Sequence, residues 1–208
     1  MAVTYPANMP TSGVTSIEWT NTTSSLISRS PFSLKGQAQS WGGAIRFASI
    51  TVENLNRAQA QDWLGFLDSL NGTIGTFLFG DPMAATPQGS GGGGPTVRAV
   101  NSATRDILTV DTNLTGTINN WLRRGDWIQL GQGANARLYK VCNHVAIING
   151  VNYSNNINVW PKFRSIPQAG DPVIILNPQG LFRRSSGAYS YSQVGCNYSL
   201  SFDCEEVF

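Results

Sequence analysis

The sequence predicts a mainly β protein with a single α-helix. Three observations support this prediction. Short apolar segments separated by turn residues recur along most of the chain, strict two-residue alternation marks the C-terminal segment, and only residues 57–70 have a helical period. The 208 residues are enough for one large domain or two small ones, and 41% hydrophobic residues suffice for a core.

The first part of the chain is predicted to contain a polar arm followed by strands. Residues 1–16 are rich in Pro, Thr and Ser, so we expect an extended arm with little structure of its own. Residues 17–26 are the first predicted strand. Residues 32–40 and 44–52 are predicted to pair as a hairpin, because the Trp-Gly-Gly sequence at 41–43 is a turn signal.

One helix is predicted over residues 57–70. Asn56 is a good N-cap and Gln59 follows it at the spacing of a capping box. The Asn-Gly pair at 71–72 is a stop signal. One helical face is apolar and is expected to pack on a sheet; it consists of Ala60, Trp63, Leu64, Leu67 and Leu70.

The middle of the chain is predicted to form a small β-barrel or β-sandwich. A short strand at 76–79 ends at Gly-Asp-Pro, and residues 89–95 contain five glycines, which favour a flexible boundary between domains. No helix start or Lys-Ser/Thr pair follows these glycines, which argues against a phosphate-binding loop. Short strands then recur, with the candidates at 96–100, 106–111, 126–130, 137–148, 156–160 and 172–176. The expected aromatic core of this region is Trp121, Trp127, Tyr139, Trp160 and Phe163.

The last strand has the clearest pattern in the chain. Apolar side chains occupy the even positions from Cys196 to Cys204, and polar side chains occupy the odd positions. Such alternation is typical of a half-buried antiparallel strand. The chain is therefore expected to end on a strand that belongs to a sheet.

Composition narrows the classes of function. Charged residues make up 12% of the chain, about half the usual share of about 25%, which suits surfaces buried in a permanent assembly as well as some secreted β proteins. The net charge is +2 and the basic residues are scattered, so we expect no nucleic-acid groove. We also expect no signal peptide and no membrane insertion. The three cysteines are expected to be small apolar fillers and not a disulfide framework.

Residues with catalytic potential are few, and we expect no enzyme activity, cofactor or metal. His144 is the single histidine, and with Cys142 it supplies only two of the three or four ligands that zinc needs. The carboxylates Glu205 and Glu206 lie near the end of the sequence, where an enclosed catalytic pair is hard to build. The Arg-Gly-Asp tripeptide at 124–126 is interpreted as a turn that leads into a strand.

A binding role in a different class remains open. An exposed row of aromatic side chains among Asn and Gln residues would suit stacking on sugars. The candidate glycan-binding residues are Trp121, Tyr139, Tyr153 and Trp160. Burial of such rings in a small β-domain is the alternative explanation.

The order of these segments resembles that of the distal tail and minor tail proteins of long-tailed bacteriophages (siphophages). The resemblance depends on residues 41–82, above all Ala-Gln-Asp-Trp-Leu-Gly-Phe-Leu at 60–67 and Gly-Thr-Phe-Leu-Phe-Gly-Asp-Pro at 75–82. Asn-Pro-Gln-Gly-Leu-Phe at 177–182 and the acidic, then apolar, end at 199–208 extend it. None of these motifs is catalytic.

The resemblance implies a fold and a role in a virion. The implied fold is a tail-tube-like β-sandwich or split barrel with one α-helix, formed by residues 1–84 and 177–208. It would be interrupted, after a linker at 85–95, by a small inserted β-domain at 96–176. The family members form a ring, expected to be a homohexamer, at the distal end of the tail. This ring is assembled in the host cytoplasm and connects the tail tube protein to the hub and receptor-binding parts, with tail fibres or host-surface glycans as further contacts. A tail-tube or other minor tail subunit is the alternative within this class.

Overall fold

The computed structural model describes residues 4–148 and 156–208 and contains one α-helix and fourteen β-strands in these ranges. The predicted mainly β class with one helix is therefore confirmed. In chain order the elements are β1 (Val14–Arg29), β2 (Gly36–Leu55), α1 (Arg57–Ser69), β3 (Thr76–Phe79), β4 (Thr96–Val100), β5 (Ile107–Asp111), β6 (Ile118–Leu122), β7 (Trp127–Leu130), β8 (Arg137–Val141), β9 (Val145–Ile147), β10 (Asn156–Trp160), β11 (Val173–Ile174), β12 (Gly180–Arg184), β13 (Ser190–Val194) and β14 (Asn197–Glu206).

The first sheet combines strands from both ends of the sequence. Its order is β1-β2-β14-β12-β3, and β13 also pairs with β14. The alternation predicted for the last strand is confirmed from Leu200 onward, since Leu200, Phe202, Cys204 and also Glu206 are buried, whereas Cys196 is exposed and precedes the strand. Strand β2 has the same period from residue 44 onward, and Arg46 occupies one of its inward positions. The inward row of β2 therefore places a charged side chain in the interior.

The first hairpin differs from its prediction. Strand β2 runs without interruption through residues 41–43, and the hairpin turn lies at residues 30–35 instead. The Trp-Gly-Gly sequence is accommodated because β1 pairs with β2 on both sides of it, with a bulge between Thr23 and Ser25. A local turn signal is therefore overridden by cross-strand pairing along two long strands.

Helix α1 begins and ends close to the predicted residues. The side chain of Asn56 accepts a hydrogen bond from the backbone of Gln59, and the side chain of Gln59 accepts one from the backbone of Asn56, which confirms the capping box. The buried face differs at one position, because Phe66 is buried and Leu64 is only half-buried. The ring of Phe66 packs edge-on against Phe77 of β3, which joins the helix to the sheet.

The second sheet is formed by strands that lie between β3 and β12 in the chain, in the order β11-β7-β8-β10-β5-β4. Its two edges meet, since Thr96 pairs with Pro172 and Val97 donates a hydrogen bond to the carbonyl of Asp171. This sheet is thus nearly closed and barrel-like. Strands β6 and β9 form a separate two-stranded sheet, and both contribute side chains to the same apolar core.

Several predictions for the middle of the chain need correction. Strand β6 was missing from the predicted set, because its Ile-Asn-Asn-Trp-Leu sequence lacks alternation. The predicted strand at 137–148 is two strands, β8 and β9, and the one at 172–176 is shortened to β11. The absence of regular structure at 89–95 is confirmed.

The N-terminal segment is only partly the free arm that its composition predicts. Residues 4–13 form no strand, but Ala7 donates a backbone hydrogen bond to Thr76 of β3, and Ala7 and Met9 pack against the core of the first sheet. In the described part of the chain, no helix has the length and apolar character needed to cross a membrane.

Two glycines provide a matched stability test. Gly65 is in the middle of α1, where an added methyl group would meet open space, so Gly65→Ala should stabilise the protein by about 0.5–1 kcal/mol. Gly80 crosses the returning chain at Pro178, whose carbonyl oxygen an added methyl group would strike. Gly80→Ala should destabilise by about 1–3 kcal/mol. Urea denaturation of both variants measures the difference, and equal effects would contradict this packing.

Candidate functional site

The two main sheets meet at a buried arginine. The side chain of Arg46 on β2 is completely buried and donates a 3.0 Å hydrogen bond to the carbonyl of Leu138 on β8. It also donates to the side-chain oxygen of Asn21 at 3.3 Å and lies 3.5 Å from the carboxylate of Glu206 on β14. This one side chain therefore contacts three strands from two sheets. We call Arg46, Glu206, Leu138, Trp127 and Trp160 the junction cluster.

Aromatic rings complete the junction cluster. The guanidinium carbon of Arg46 lies 4.6 Å from the ring centroid of Trp127 and 5.1 Å from that of Trp160. Its Nη2 is buried without a hydrogen-bond partner. The attraction between the guanidinium cation and the electron-rich ring faces partly compensates for this missing hydrogen bond. The ammonium of Lys140 also lies 4.9 Å from the Trp127 centroid. Two cations thus converge on one tryptophan.

Trp127 extends from the second sheet into the apolar core of the first. It lies on β7 of the second sheet, yet it packs with Trp19, whose ring centroid is 5.6 Å away, in the core of the first sheet. Trp19 in turn stacks on Phe79 at 5.2 Å. The prediction that Trp127 belongs to the core of the middle region is therefore wrong, because its ring reaches across the junction to the neighbouring sheet.

Backbone contacts reinforce the junction. Leu181 on β12 donates a hydrogen bond to the carbonyl of Ala136, and Gln179 donates one to the side chain of Gln129 at 2.8 Å. The amide of Asn177, where the chain returns from the second sheet, donates to the carbonyl of Ala85, where the chain leaves the first. The two connections between the sheets are therefore held side by side.

Burial shifts the pKa values of the two ionisable groups in the junction cluster. Burial lowers the pKa of Arg46 to about 10, while Glu206 opposes this shift, so the guanidinium stays protonated at neutral pH. Burial also raises the pKa of Glu206 above its ordinary value of 4.5, against the effect of Arg46. Both groups are thus less stable as ions here than in water, and each depends on the other for compensation.

A second buried arginine secures the helix. Arg184 on β12 donates hydrogen bonds to the carbonyls of Leu67 at 3.4 Å and Gly187 at 2.9 Å, and it lies over the ring of Tyr189. The hydroxyl of Tyr189 donates to the carboxylate of Asp68 at 2.7 Å. These contacts attach the end of α1 to the sheet, so this cluster is structural.

The proposed glycan-binding residues do not form an exposed row. Trp121 is completely buried and Tyr139 is 5% exposed, and both belong to the core of the second sheet. Trp160 is half-buried beside Arg46, and Tyr153 lies outside the described residues. The predicted core positions of Trp121, Tyr139 and Phe163 are confirmed. Tyr139 is buried on an inward position of β8, and Trp121 of β6 and Phe163 of the segment after β10 pack into the same apolar core.

The other candidate residues are not brought together. Cys142 and His144 are both exposed, and no group of three metal-ligating side chains occurs among the described residues. Cys196 is also exposed, so the prediction that all three cysteines are apolar fillers holds only for the buried Cys204. Asp126 is buried and accepts hydrogen bonds from the backbones of Arg123 and Gln88, which confirms that Arg-Gly-Asp is a turn.

The most unusual surface is the end of the first hairpin, residues 24–43, which we call the hairpin arm. Strand β14 pairs with β2 only from residue 47 onward, so the hairpin arm is a two-stranded ribbon. All of it is exposed except the half-buried Ser30. It carries large exposed apolar side chains, which are Leu26, Ile27, Phe32, Leu34 and Trp41. It contains the basic residues Arg29 and Lys35 and no acidic residue.

No family model and no curated protein sequence matches this chain. The description of this protein therefore depends on its structure. It is a mainly β chain with one described helix, two main sheets in contact at a buried ion pair, and a long exposed hairpin arm that carries basic but no acidic residues.

The junction cluster yields a stability test with an internal control. Arg46→Met leaves the buried Glu206 without its partner and should cost about 3–5 kcal/mol in the free energy of unfolding. The control is Arg183→Met, which breaks a 2.8 Å pair between β12 and Glu205, the neighbour of Glu206 on β14, where the Arg183 side chain is 48% exposed. It should cost less than about 1 kcal/mol. Similar losses in the two variants, measured in urea, would show that the buried pair has no special weight.

The raised pKa of Glu206 gives a pH test. The folded state keeps the Glu206 proton to a higher pH than the unfolded state does. The resulting stabilisation is complete below the ordinary value of 4.5 and is lost as the pH rises through the folded-state pKa. The stability of the wild type relative to Glu206→Gln should therefore fall as the pH rises above 4.5. Urea midpoints at several pH values measure this, and a difference that grows with pH would reverse the sign and refute it.

Proposed function

We propose that this chain is a structural subunit that assembles with copies of itself into a closed ring. On the resemblance of its sequence, we propose that the ring lies at the distal end of a long-tailed phage tail and connects the tail tube to the hub and receptor-binding parts. The observation that carries the proposal is the hairpin arm.

The hairpin arm lacks a core of its own. An isolated two-stranded ribbon is marginally stable in water, and exposed strand edges invite pairing with other chains. The side chain of Phe32 at its tip is 98% exposed and that of Leu34 is 77% exposed. Large apolar side chains are costly to leave in water, so a permanent partner that covers them stabilises the arm. The low content of charged residues, 12%, agrees with surfaces buried in an assembly.

A groove elsewhere on the same chain fits the arm. It has a volume of about 440 Å³ and lies between the N-terminal segment, the first half of β1 and the turn at 81–83. Its apolar lining consists of Met9, Val14, Ile17, Trp19, Pro82 and Met83. Asp81 adds a negative charge at the groove, whereas the arm carries Arg29 and Lys35. Apolar and charged groups are therefore complementary between the two surfaces.

The arm and the groove lie at opposite ends of β1. Trp19 and Arg29 are separated by about 30 Å of extended chain, so the arm cannot reach the groove of its own molecule. The groove of a second copy is the occupant we propose for the arm. A contact between two different surfaces of identical chains is head-to-tail, and its repetition closes into a ring when the rotation allows. The number of six copies is taken from the resemblance.

We further propose that the two apolar cores correspond to two units. Residues 1–84 and 177–208 would form the ring domain with a tail-tube-like sandwich or split-barrel fold. Residues 96–176 would be the inserted domain that projects from it, after a linker at 85–95. The separate clusters of buried residues support this division, although Trp127 and Leu138 of the middle region pack into the first cluster. The insert would then be a rigid attachment, since the junction cluster fixes it to the ring domain.

Assembly can be tested through the arm. Purified protein should contain ring-shaped particles of about six copies by light scattering and negative-stain microscopy. Phe32→Ser combined with Leu34→Ser should shift the mass to the monomer without changing the thermal unfolding of the subunit core. Ile74→Ser is the matched control, because Ile74 is also 73% exposed but lies outside the arm.

The charge complementarity between the hairpin arm and the groove allows a second experiment. Lys35→Glu should weaken the ring, and Asp81→Lys in the same chain should restore it, because the attraction is then reversed in sign. Assembly that is indifferent to all these changes would refute the arm-in-groove contact. Long stacked tubes in place of single rings would favour the tail-tube alternative.

A further inference from the structure

The outer face of the second sheet carries a polar patch beside the junction cluster. Along β10 every second side chain is buried in the core, and these are Ile157 and Val159. The alternate side chains lie on the opposite, outer face, and they are Asn156, Asn158 and Trp160. Both asparagines are exposed and the tryptophan is half-buried. Two amides and an aromatic ring therefore follow one another along one face of a single strand.

Strand β8 adds positive charge to this outer face. Lys140 pairs directly with Trp160, so the two side chains lie side by side. Cys142, two residues further along, is exposed, and its amide donates a 2.7 Å hydrogen bond to the carbonyl of Asn158. The exposed Arg124 donates to the carbonyl of Cys142 at 2.9 Å. We call Arg124, Lys140, Cys142, Asn158 and Trp160 the β10 patch.

The two cations of the β10 patch have no carboxylate partner. Neither Arg124 nor Lys140 forms an ion pair within residues 4–148 and 156–208. Burial raises the pKa of the Cys142 thiol, and Arg124 and then Lys140 oppose this shift, so both positive charges act on one position. The ammonium of Lys140 lies 4.9 Å from the ring centroid of Trp127, which is a neutral partner. The carboxylate nearest in sequence to Arg124 is that of Asp126, which is buried and already accepts hydrogen bonds from two backbone amides.

Another asparagine fixes the backbone beneath the patch. The side chain of Asn143 donates to the carbonyl of Asn156 at 3.0 Å and accepts from the amide of Asn158 at 2.8 Å. The side chain of Asn158 itself is exposed and forms no hydrogen bond within the described ranges. An amide group can both donate to a hydroxyl and accept from one. Because the strand that carries it is already held in place, less order has to be created when a ligand binds.

We propose that the β10 patch binds a saccharide that carries a carboxylate group. Arg124 and Lys140 hold the carboxylate, because a guanidinium and an ammonium both form charge-assisted hydrogen bonds with oxyanions. Asn158 binds hydroxyl groups of the sugar, and the ring of Trp160 contacts its apolar face. An acidic peptide would use the two cations but not this combination of amide and ring. The site does not depend on the proposed ring assembly, because it lies on the second sheet.

The experiment uses the full chain and three probes, which are sodium glucuronate, glucose and sodium acetate, all at the same ionic strength. Glucuronate should shift the indole N–H signal of Trp160 saturably in NMR titrations. Glucose lacks the carboxylate and acetate lacks the sugar ring. Each of these two probes should therefore bind at least about tenfold more weakly than glucuronate, the loss expected for a charge-assisted hydrogen bond or more.

Variants at exposed positions locate the binding. Arg124→Gln removes one positive charge and Asn158→Ala removes one amide group, both from exposed side chains. Each should weaken glucuronate binding about three- to tenfold, the loss expected for one hydrogen bond. Arg57→Gln is the matched control, because Arg57 is also exposed and basic but lies at the start of α1, outside the second sheet. It should have no effect.

Three results would overturn the proposal. They are a glucuronate titration that does not saturate, binding of acetate as tight as that of glucuronate, and an effect of Arg57→Gln as large as that of Arg124→Gln. A glutamate-rich peptide serves as a competitor. If it binds more tightly than glucuronate and displaces it, the β10 patch recognises an acidic protein segment and the saccharide proposal is wrong.

Discussion

The buried guanidinium of Arg46 connects the two halves of this structure. It lies on the first sheet, its best hydrogen bond is to the backbone of the second, and its countercharge Glu206 comes from the last strand. Such a group is stable inside a protein only when each of its neighbours is in place, because an ion without compensation in a low dielectric costs several kcal/mol. The contacts of Arg46 therefore link the positions of the two sheets, and the rings of Trp127 and Trp160 lie against its guanidinium.

The packed sheets around Arg46 contrast with the exposed apolar surface of the hairpin arm. Trp127 of the second sheet packs into the core of the first, the second sheet nearly closes on itself, and α1 is attached by Arg184. The hairpin arm, in contrast, has exposed apolar side chains and strand edges that no residue of 4–148 or 156–208 covers. A rigid body with one uncovered ribbon is the expected form of a subunit whose folding is completed by assembly, since closure around a ring covers edges that a monomer must leave open.

The proposed ring contact involves strands β1 and β2 of the first sheet. In the second sheet, the burial of Trp121 and Tyr139 withdraws their ring faces from the surface, so these two side chains are not placed to stack on a sugar.

The sequence by itself determined the mainly β class, the capped helix and the inward row of the last strand, because these depend on period and on neighbours within a few residues. The alternation in β2 even placed Arg46 on the same face as Ala44 and Ala48, a signal that was available in the pattern. Only the tertiary structure decided that the hairpin turns at 30–35, that the candidate sugar-binding rings are core, and that Arg46 meets Glu206. Those outcomes depend on partners far apart in the chain, 160 residues in the case of the ion pair, and local patterns carry no information about which distant strand will lie alongside.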